Sequence, residues 1–364
     1  MTTIAELPTP ALLLDLDVLE SNLRRMAERA AGFSVALRPH IKTHKCIEVG
    51  ERQRALGAQG IAVATLYEAR VFAEHGFDDI TWASPVTLNR LDETRELADR
   101  VQLRLVVDSA DAIAALEATK QPFHTWLKVD CGYHRAGVDP HSPTAMELAR
   151  ALYESDTLDF DGILTHSGHA YRGHSRHEIA AAATQERQVM VEFAERLSAA
   201  GVEVRGISVG STPAVSAVDH LDGVSEVRPG NYVFNDYTQV LLGSCTPRDC
   251  AVTVLASVVS CQPAAQHSVA DAGALALSKD TGRGKAHQPT MGEIYDDYAA
   301  GTLRSDARLV SVSQEHGVVS RALPVGSRIR VLPNHSCLCV ACFDEYHVVR
   351  GDQVVYTWKI WRGR

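Results

Sequence analysis

The chain lacks the marks of several protein classes, and each absence narrows what it can be. No run of apolar residues approaches the ~18 of a spanning helix, so no membrane partner is expected. Residues 1–10 hold neither a basic leader nor an apolar stretch, so the sequence reads as cytoplasmic, without a secretory signal. Positive charge is in deficit: 36 Lys and Arg against 45 Asp and Glu leave a net charge of −9. That balance argues against nucleic acid or an anionic membrane surface as a partner. Internal repeats and low-complexity tracts are missing as well, so neither a solenoid nor a disordered tail is expected. Cysteine is not scarce, with eight residues, but in a reducing compartment these are expected as free thiols or metal ligands.

What is present is a globular composition, 45% hydrophobic and 22% charged, in 364 residues, too long for a single ordinary core. Short apolar runs at 35–37, 61–64, 80–83, 103–107, 125–129, 162–165, 206–209 and 224–227 read as strands. Helical patterns separate them. Ser142-Pro143 supplies a cap followed by proline at the first helical position. Ser175 with Glu178 fits a capping box, opening an apolar face that runs to Gly201. Eight βα units in roughly 230 residues predict a TIM (β/α)8 barrel over residues 15–245, with an open doubly wound sheet as the competing arrangement. After Gly243 the texture changes. Alternating β-branched runs at 251–260, 268–276, 309–313, 329–332 and 354–360 predict an all-β domain over 246–364, with 282–290 as a polar loop inside it.

Polar residues gather where the strands end, the place at which such barrels do chemistry. Arg38-Pro39-His40-Ile41-Lys42-Thr43-His44-Lys45 follows the first strand. A lysine among other cations is disfavoured as an ammonium, so Lys42 is the candidate to attack a carbonyl and form a Schiff base. Asp130 to Gly137, including Arg135, follow the fifth strand; His166, His169 and Tyr171 follow the sixth. Gly210-Ser211-Thr212-Pro213 follows the seventh, and Arg228-Pro229-Gly230-Asn231-Tyr232 the eighth. Glycine-exposed N–H groups and hydroxyls after strands seven and eight suit a phosphate. A nucleophilic lysine together with a phosphate cradle suggests pyridoxal phosphate.

Near the end, Pro333 to Cys339 is expected to be a strand terminus, where residues i and i+2 face the same way. His335 and Cys337 then reach one ion, and a nitrogen–sulfur pair suits zinc. Cys339 would continue that face with Cys342 close by, both expected as core cysteines and not further ligands.

The motifs RPHIKTHK, DCGYHRAGV, HSGHAY, GSTP and RPGNY together resemble the D-serine dehydratase / D-threonine aldolase family, which has the alanine-racemase-like fold of type III pyridoxal-phosphate enzymes. The resemblance runs from about Thr9 to Trp358 and implies several things. Lys42 would carry the cofactor, Ser211, Thr212, Gly230 and Asn231 its phosphate, and Tyr171 would lie in its pocket. Arg135 and His166 would face it, as at matching positions of alanine racemases, while Arg228 would reach the ring or brace the loop against Glu226. Residues 1–14 would join the β domain, which carries the metal site, and two chains would form a homodimer. Dehydratase-type members use His-x-Cys for zinc, whereas aldolase-type members tend to His-x-Asp with a harder ion such as Mn2+ or Mg2+. The implied activity is dehydration of a 3-hydroxy D-amino acid, such as D-serine to pyruvate and ammonia. The alternatives are a D-threonine or 3-hydroxy-D-aspartate aldolase on the same site, 3-hydroxy-D-aspartate dehydration, and a non-catalytic pyridoxal-phosphate-binding protein. Racemization needs no metal, and the non-catalytic proteins are single barrels.

Overall fold

Two sheets carry the architecture of the computed structural model, which describes residues 2–283 and 288–363. The chain divides into two compact units, one built mainly from Met26–Lys42 and Gly50–Gly230, the other from Met1–Arg25, Thr43–Val49 and Asn231–Arg362.

The first unit holds eight parallel strands: Ala36–Leu37, Ile61–Val63, Asp79–Pro85, Gln102–Val107, Phe123–Lys128, Leu158–Leu164, Gly206–Val209 and Glu226–Val227. Counted along the chain they lie in the order 1-8-7-6-5-4-3-2. Most of their residues are buried, which is why they read as apolar runs and not as alternating ones. Four of the crossover helices begin where a Ser or Thr side chain accepts an N–H of the first turn. Thr65 accepts from Glu68, Ser109 from Ala112, Ser142 from Ala145 and Ser175 from Glu178.

The seam between strands one and two is closed by the Arg-Pro-His segment itself. His40 forms a lone parallel bridge with Ala62, whose N–H donates to the Pro39 carbonyl at 2.9 Å. Arg38 ties this seam to its neighbours. Its Nε lies 2.5 Å from Glu226 at the eighth strand and its Nη1 2.6 Å from Asp79 at the third. Asp79 also pairs with Arg104, which in turn meets Asp161 at 3.0 Å. Arg38 is buried, so its charge persists only because two carboxylates surround it.

The second unit is a nine-stranded, mostly antiparallel sheet. Its order is His267–Ala270, Gly317–Val319, Thr302–Val312, Gly292–Asp297, Arg328–Leu332, Val252–Gln262, Ala11–Asp15, Glu345–Arg350 and Gln353–Lys359. A further pairing of His267–Ala270 with Val252–Gln262 curls one end closed. The N-terminal strand lies inside this sheet, antiparallel to Val252–Gln262 and parallel to Glu345–Arg350.

Three details differ from the sequence expectation. The run 268–276 is a strand only to Ala270; Gly273 then caps a short helix, Ala274–Leu277. Strands Gly292–Asp297, Gly317–Val319 and Glu345–Arg350 were not among those expected, because acidic or short segments with weak alternation take strand form here through pairing alone. The polar loop 282–290 pairs Gly282–Arg283 with Pro289–Thr290, while residues 284–287 lie outside the described residues.

Replacing Arg38 by Met would leave Glu226 and Asp79 without their shared cation. The expected cost is about 3–5 kcal/mol of stability, read as a lowered urea midpoint with an unchanged slope; an unshifted midpoint would show that the seam does not rest on this ion pair.

Candidate active site

In the barrel unit, Lys42 sits in the 3-10 turn Ile41–Thr43 directly beyond the seam. Its backbone N–H points to His40 Nδ1 at 3.4 Å. The loop after the fifth strand is folded around Asp130, whose carboxylate accepts from the N–H groups of Gly132 and His134, both at 2.9 Å, and from His134 Nδ1 at 2.8 Å. That loop presents Tyr133 and Arg135. The Arg135 guanidinium lies over the Tyr133 ring at 5.2 Å, Arg172 at 5.6 Å, and the His166 ring meets it edge-on at 6.1 Å. Gly168 packs against the same ring so closely that any Cβ would overlap it, which accounts for glycine between His166 and His169. Tyr171 lies in the turn Gly168–Arg172 and is 38% exposed.

Glu186, fully buried on the helix Arg176–Ala199, joins two of these loops. Its Oε1 accepts the Ser167 N–H at 2.9 Å and the Gly210 N–H at 3.2 Å. Gly210 adopts a left-handed φ of +98°. Ser211 then caps the helix Thr212–Ala217 through the Ala214 N–H, and Ser211 and Thr212 are both buried. Arg228 is committed to bracing: it donates to the Ser208 hydroxyl and the Thr165 carbonyl, while Arg38 takes Glu226.

The electrostatics of this pocket are those of crowded cations. Burial, followed by Lys42, Lys128, Arg135 and Arg228, holds His166 far below the ordinary histidine range, so its imidazole is neutral. Burial, then Arg228 and Arg135, lowers the Lys128 ammonium to about 7. Burial brings Arg228 down to about 10. Burial raises the Glu186 carboxyl, with the Ser167 and Gly210 bonds and Arg228 opposing. Both ring nitrogens of His169 are buried without a hydrogen-bond partner among the described residues. A surplus of positive charge, idle polar atoms and hydroxyls at a helix start match what an anionic, phosphorylated group such as pyridoxal phosphate requires.

The other unit holds the candidate metal centre. The expected strand terminus is corrected here: the strand ends at Leu332, His335 is extended (φ −139°, ψ 105°), and Ser336–Val340 is helical. Cys337 Sγ lies 3.2 Å from the Thr43 hydroxyl, and His335 Nδ1 lies 2.6 Å from Asp280 Oδ2. Burial disfavours the His335 imidazolium, but Asp280 and Cys337 outweigh it and push its pKa up to about 11. Asn231, buried, gives its side-chain N–H groups to Asp236 at 2.6 Å and Ser336 at 2.9 Å, so its amide serves this loop. Cys339 does not share a face with Cys337; its thiol is buried against the Ala276 carbonyl, and Cys342 donates to Leu338. Among the described residues no group of three or more His, Cys, Asp or Glu side chains is placed to hold an ion. Imidazole and thiol as a two-residue donor set fit zinc.

Lys128, Glu186, Asp236 and Asp280 adjoin the candidate residues and were not among those that the sequence pointed to. A lysine at the end of a buried apolar strand and an aspartate heading the helix Tyr237–Leu241 were visible signals for Lys128 and Asp236. Glu186 lies in an ordinary polar helix pattern, and Asp280 is 55 residues from His335, so neither carried a local signal.

A neutral, buried His166 makes a pH prediction. Its folded pKa is depressed below the 6.5 of an exposed histidine, so below that value the unfolded chain binds the extra proton and stability falls as pH falls. His166→Gln is expected to remove up to about 1.4 kcal/mol per pH unit of that slope between pH 6 and 5; identical slopes in the two proteins would show that His166 is protonated in the fold.

Comparison with known proteins identifies the family. The alanine racemase N-terminal domain model matches residues 14–238, and a domain model named for serine dehydratases matches 251–349. The D-threo-3-hydroxyaspartate dehydratase of Delftia sp. is 38% identical over 98% of both chains, and its solved structure superposes with a TM-score of 0.94 over 100% of both. A D-serine dehydratase of Dictyostelium discoideum is 34% identical over 98% of this chain and 97% of that one. A D-threonine aldolase of Arthrobacter sp. is 30% identical over 98% and 93%. By the range of the domain match, the identity and coverage of these relatives and the superposition, the chain belongs to the D-serine dehydratase / D-threonine aldolase family of alanine-racemase-like, type III pyridoxal-phosphate lyases.

Proposed function

We propose that this lyase is a pyridoxal-phosphate- and zinc-dependent dehydratase of 3-hydroxy D-amino acids, converting D-serine, or D-threo-3-hydroxyaspartate, to a 2-oxo acid and ammonia. The observation that carries the reading is Cys337. It places a thiol donor beside His335, and its sulfur lies 3.2 Å from the hydroxyl of Thr43, the residue that follows Lys42 in the chain.

Lys42 Nζ is the group that would hold the cofactor's aldehyde and take the α-proton of the substrate. Ser211, Thr212 and Gly230, with the main chain of Asn231, would hold the phosphate. Arg135 and the neutral His166 would face the reacting carbons from the loops after strands five and six. His335 and Cys337 would hold zinc. When bound, the cofactor supplies an electron sink and the metal a Lewis acid for the departing hydroxide. Loss of the α-proton and β-hydroxyl as water leaves a 2-aminoacrylic acid, which water hydrolyses to the 2-oxo acid and ammonia. A homodimer belongs to the same proposal, supported by large apolar side chains left exposed at Tyr171 and Leu338.

The test is product analysis of the purified protein with D-serine, D-threo-3-hydroxyaspartate and D-threonine. A 2-oxo acid is expected as the main product, lost on chelation and restored by zinc better than by magnesium. Lys42→Ala is expected to lower kcat by about 10³-fold or more. Glycine plus an aldehyde as the main products would replace the dehydratase with an aldolase. Full activity in chelated, metal-free protein would remove zinc from the reaction.

A further inference from the structure

We infer that Asp280 is the positioning residue of the metal site: its carboxylate holds the His335 proton on Nδ1 and so leaves Nε2 as the donor nitrogen. This rests on the metal reading proposed above and extends it beyond the two donor residues.

The geometry is specific. His335 Nδ1 lies 2.6 Å from Asp280 Oδ2, a short contact of the charge-assisted kind. Asp280 is itself held from two sides. Its N–H donates to the Ser278 hydroxyl at 3.1 Å, and its carbonyl accepts from Asn334 Nδ2 at 2.8 Å. The same Asn334 amide donates to the Thr290 carbonyl at 2.7 Å. The residue preceding His335 thus grips the backbone of the carboxylate that orients the His335 ring, so ring and carboxylate are registered against each other by main chain as well as side chain.

Once zinc has displaced the proton from one nitrogen of the His335 imidazolium, the ring keeps its other proton on the opposite nitrogen. A carboxylate at Nδ1 selects the tautomer with the proton there, fixes the plane of the ring and makes Nε2 more basic. The need for such help is greatest when protein ligands are few. With no third His, Cys, Asp or Glu placed to join His335 and Cys337 among the described residues, a ring free to rotate or to change tautomer would lose one of two protein bonds to the ion.

The experiment is a zinc titration in competition with a chromophoric chelator, on the wild-type protein, Asp280→Asn and Asp280→Ala, with thermal unfolding of each protein in its metal-free form alongside. Asp280→Ala is expected to bind zinc about 10- to 100-fold more weakly. Asp280→Asn should fall between it and wild type, because an amide oxygen still accepts the Nδ1 proton but brings no charge. Metal-free unfolding midpoints should stay together, and X-ray absorption of zinc-loaded Asp280→Asn should keep one imidazole and one sulfur. Asp280→Ala with wild-type zinc affinity, whether or not its metal-free fold is weakened, would overturn the inference and leave the metal site standing. Loss of an oxygen ligand in the absorption spectrum of Asp280→Ala would overturn it too, by making Asp280 a direct ligand. A wild-type protein that takes up no zinc would bring down the metal reading and this inference together.

Discussion

Buried positive charge is the constraint to which the barrel is fitted. An isolated ion in a protein interior costs several kcal/mol, and this interior holds Arg38, Lys128 and Arg228, the last two joined by Lys42 and Arg135 around His166. Each is accommodated differently. Arg38 is matched by two carboxylates and locks the seam between the first and second strands. Arg228 spends its donors on the Ser208 hydroxyl of the seventh strand and the Thr165 carbonyl just beyond the sixth. Lys128 gives up much of its affinity for a proton. What remains uncompensated lies at the strand ends, around a histidine that burial, and then these cations, keep neutral. A phosphorylated, anionic cofactor relieves that excess, so its binding and the stability of the pocket are linked.

The metal loop solves the reverse problem with two carboxylates of different kinds. Asp236 is buried and structural: it accepts from Asn231, from the Ser336 N–H at 2.9 Å and from the Gln239 N–H at 3.0 Å. It thereby fixes where the helix Ser336–Val340 begins. Asp280 is partly exposed and addresses the imidazole instead. One carboxylate sets the path of the chain and the other the direction of a ring, and the proposed metal site would need both.

Much of this was legible because the barrel strands are buried on both faces and appear as short apolar runs between capped helices. Gly206–Val209 was expected with its observed bounds, and Ser142 and Ser175 cap the helices they were expected to cap. The clustering of Lys42, Arg135, His166, Thr212 and Gly230 at strand ends was equally visible, since chemistry-bearing residues interrupt otherwise apolar text. Legibility failed where structure depends on partners distant in sequence. Glu345–Arg350 is a strand because Ala11–Asp15 and Gln353–Lys359 flank it, and no local alternation announces that. Glu186 and Asp280 act across 19 and 55 residues. Arg38 was legible as part of a basic cluster, yet its work is structural, which only its two carboxylate partners reveal.

The corrected geometry of the metal loop alters why His335 and Cys337 form a pair. Alternation along a strand would have set them on one face automatically and would have carried Cys339 with them. In a helix, residues two apart are turned by about 200°, nearly opposite. Histidine and cysteine come together here only because the helix starts between them: His335 keeps an extended backbone as the cap, and Cys337 sits in the first turn. The boundary therefore has to fall at one residue, and the Asp236 bonds to the N–H and hydroxyl of Ser336 are what hold it there. The same boundary turns Cys339 into the core, where its thiol meets Ala276. The pairing of imidazole and thiol in the proposed metal site is thus a consequence of where one short helix begins, and a third sulfur is kept away from it.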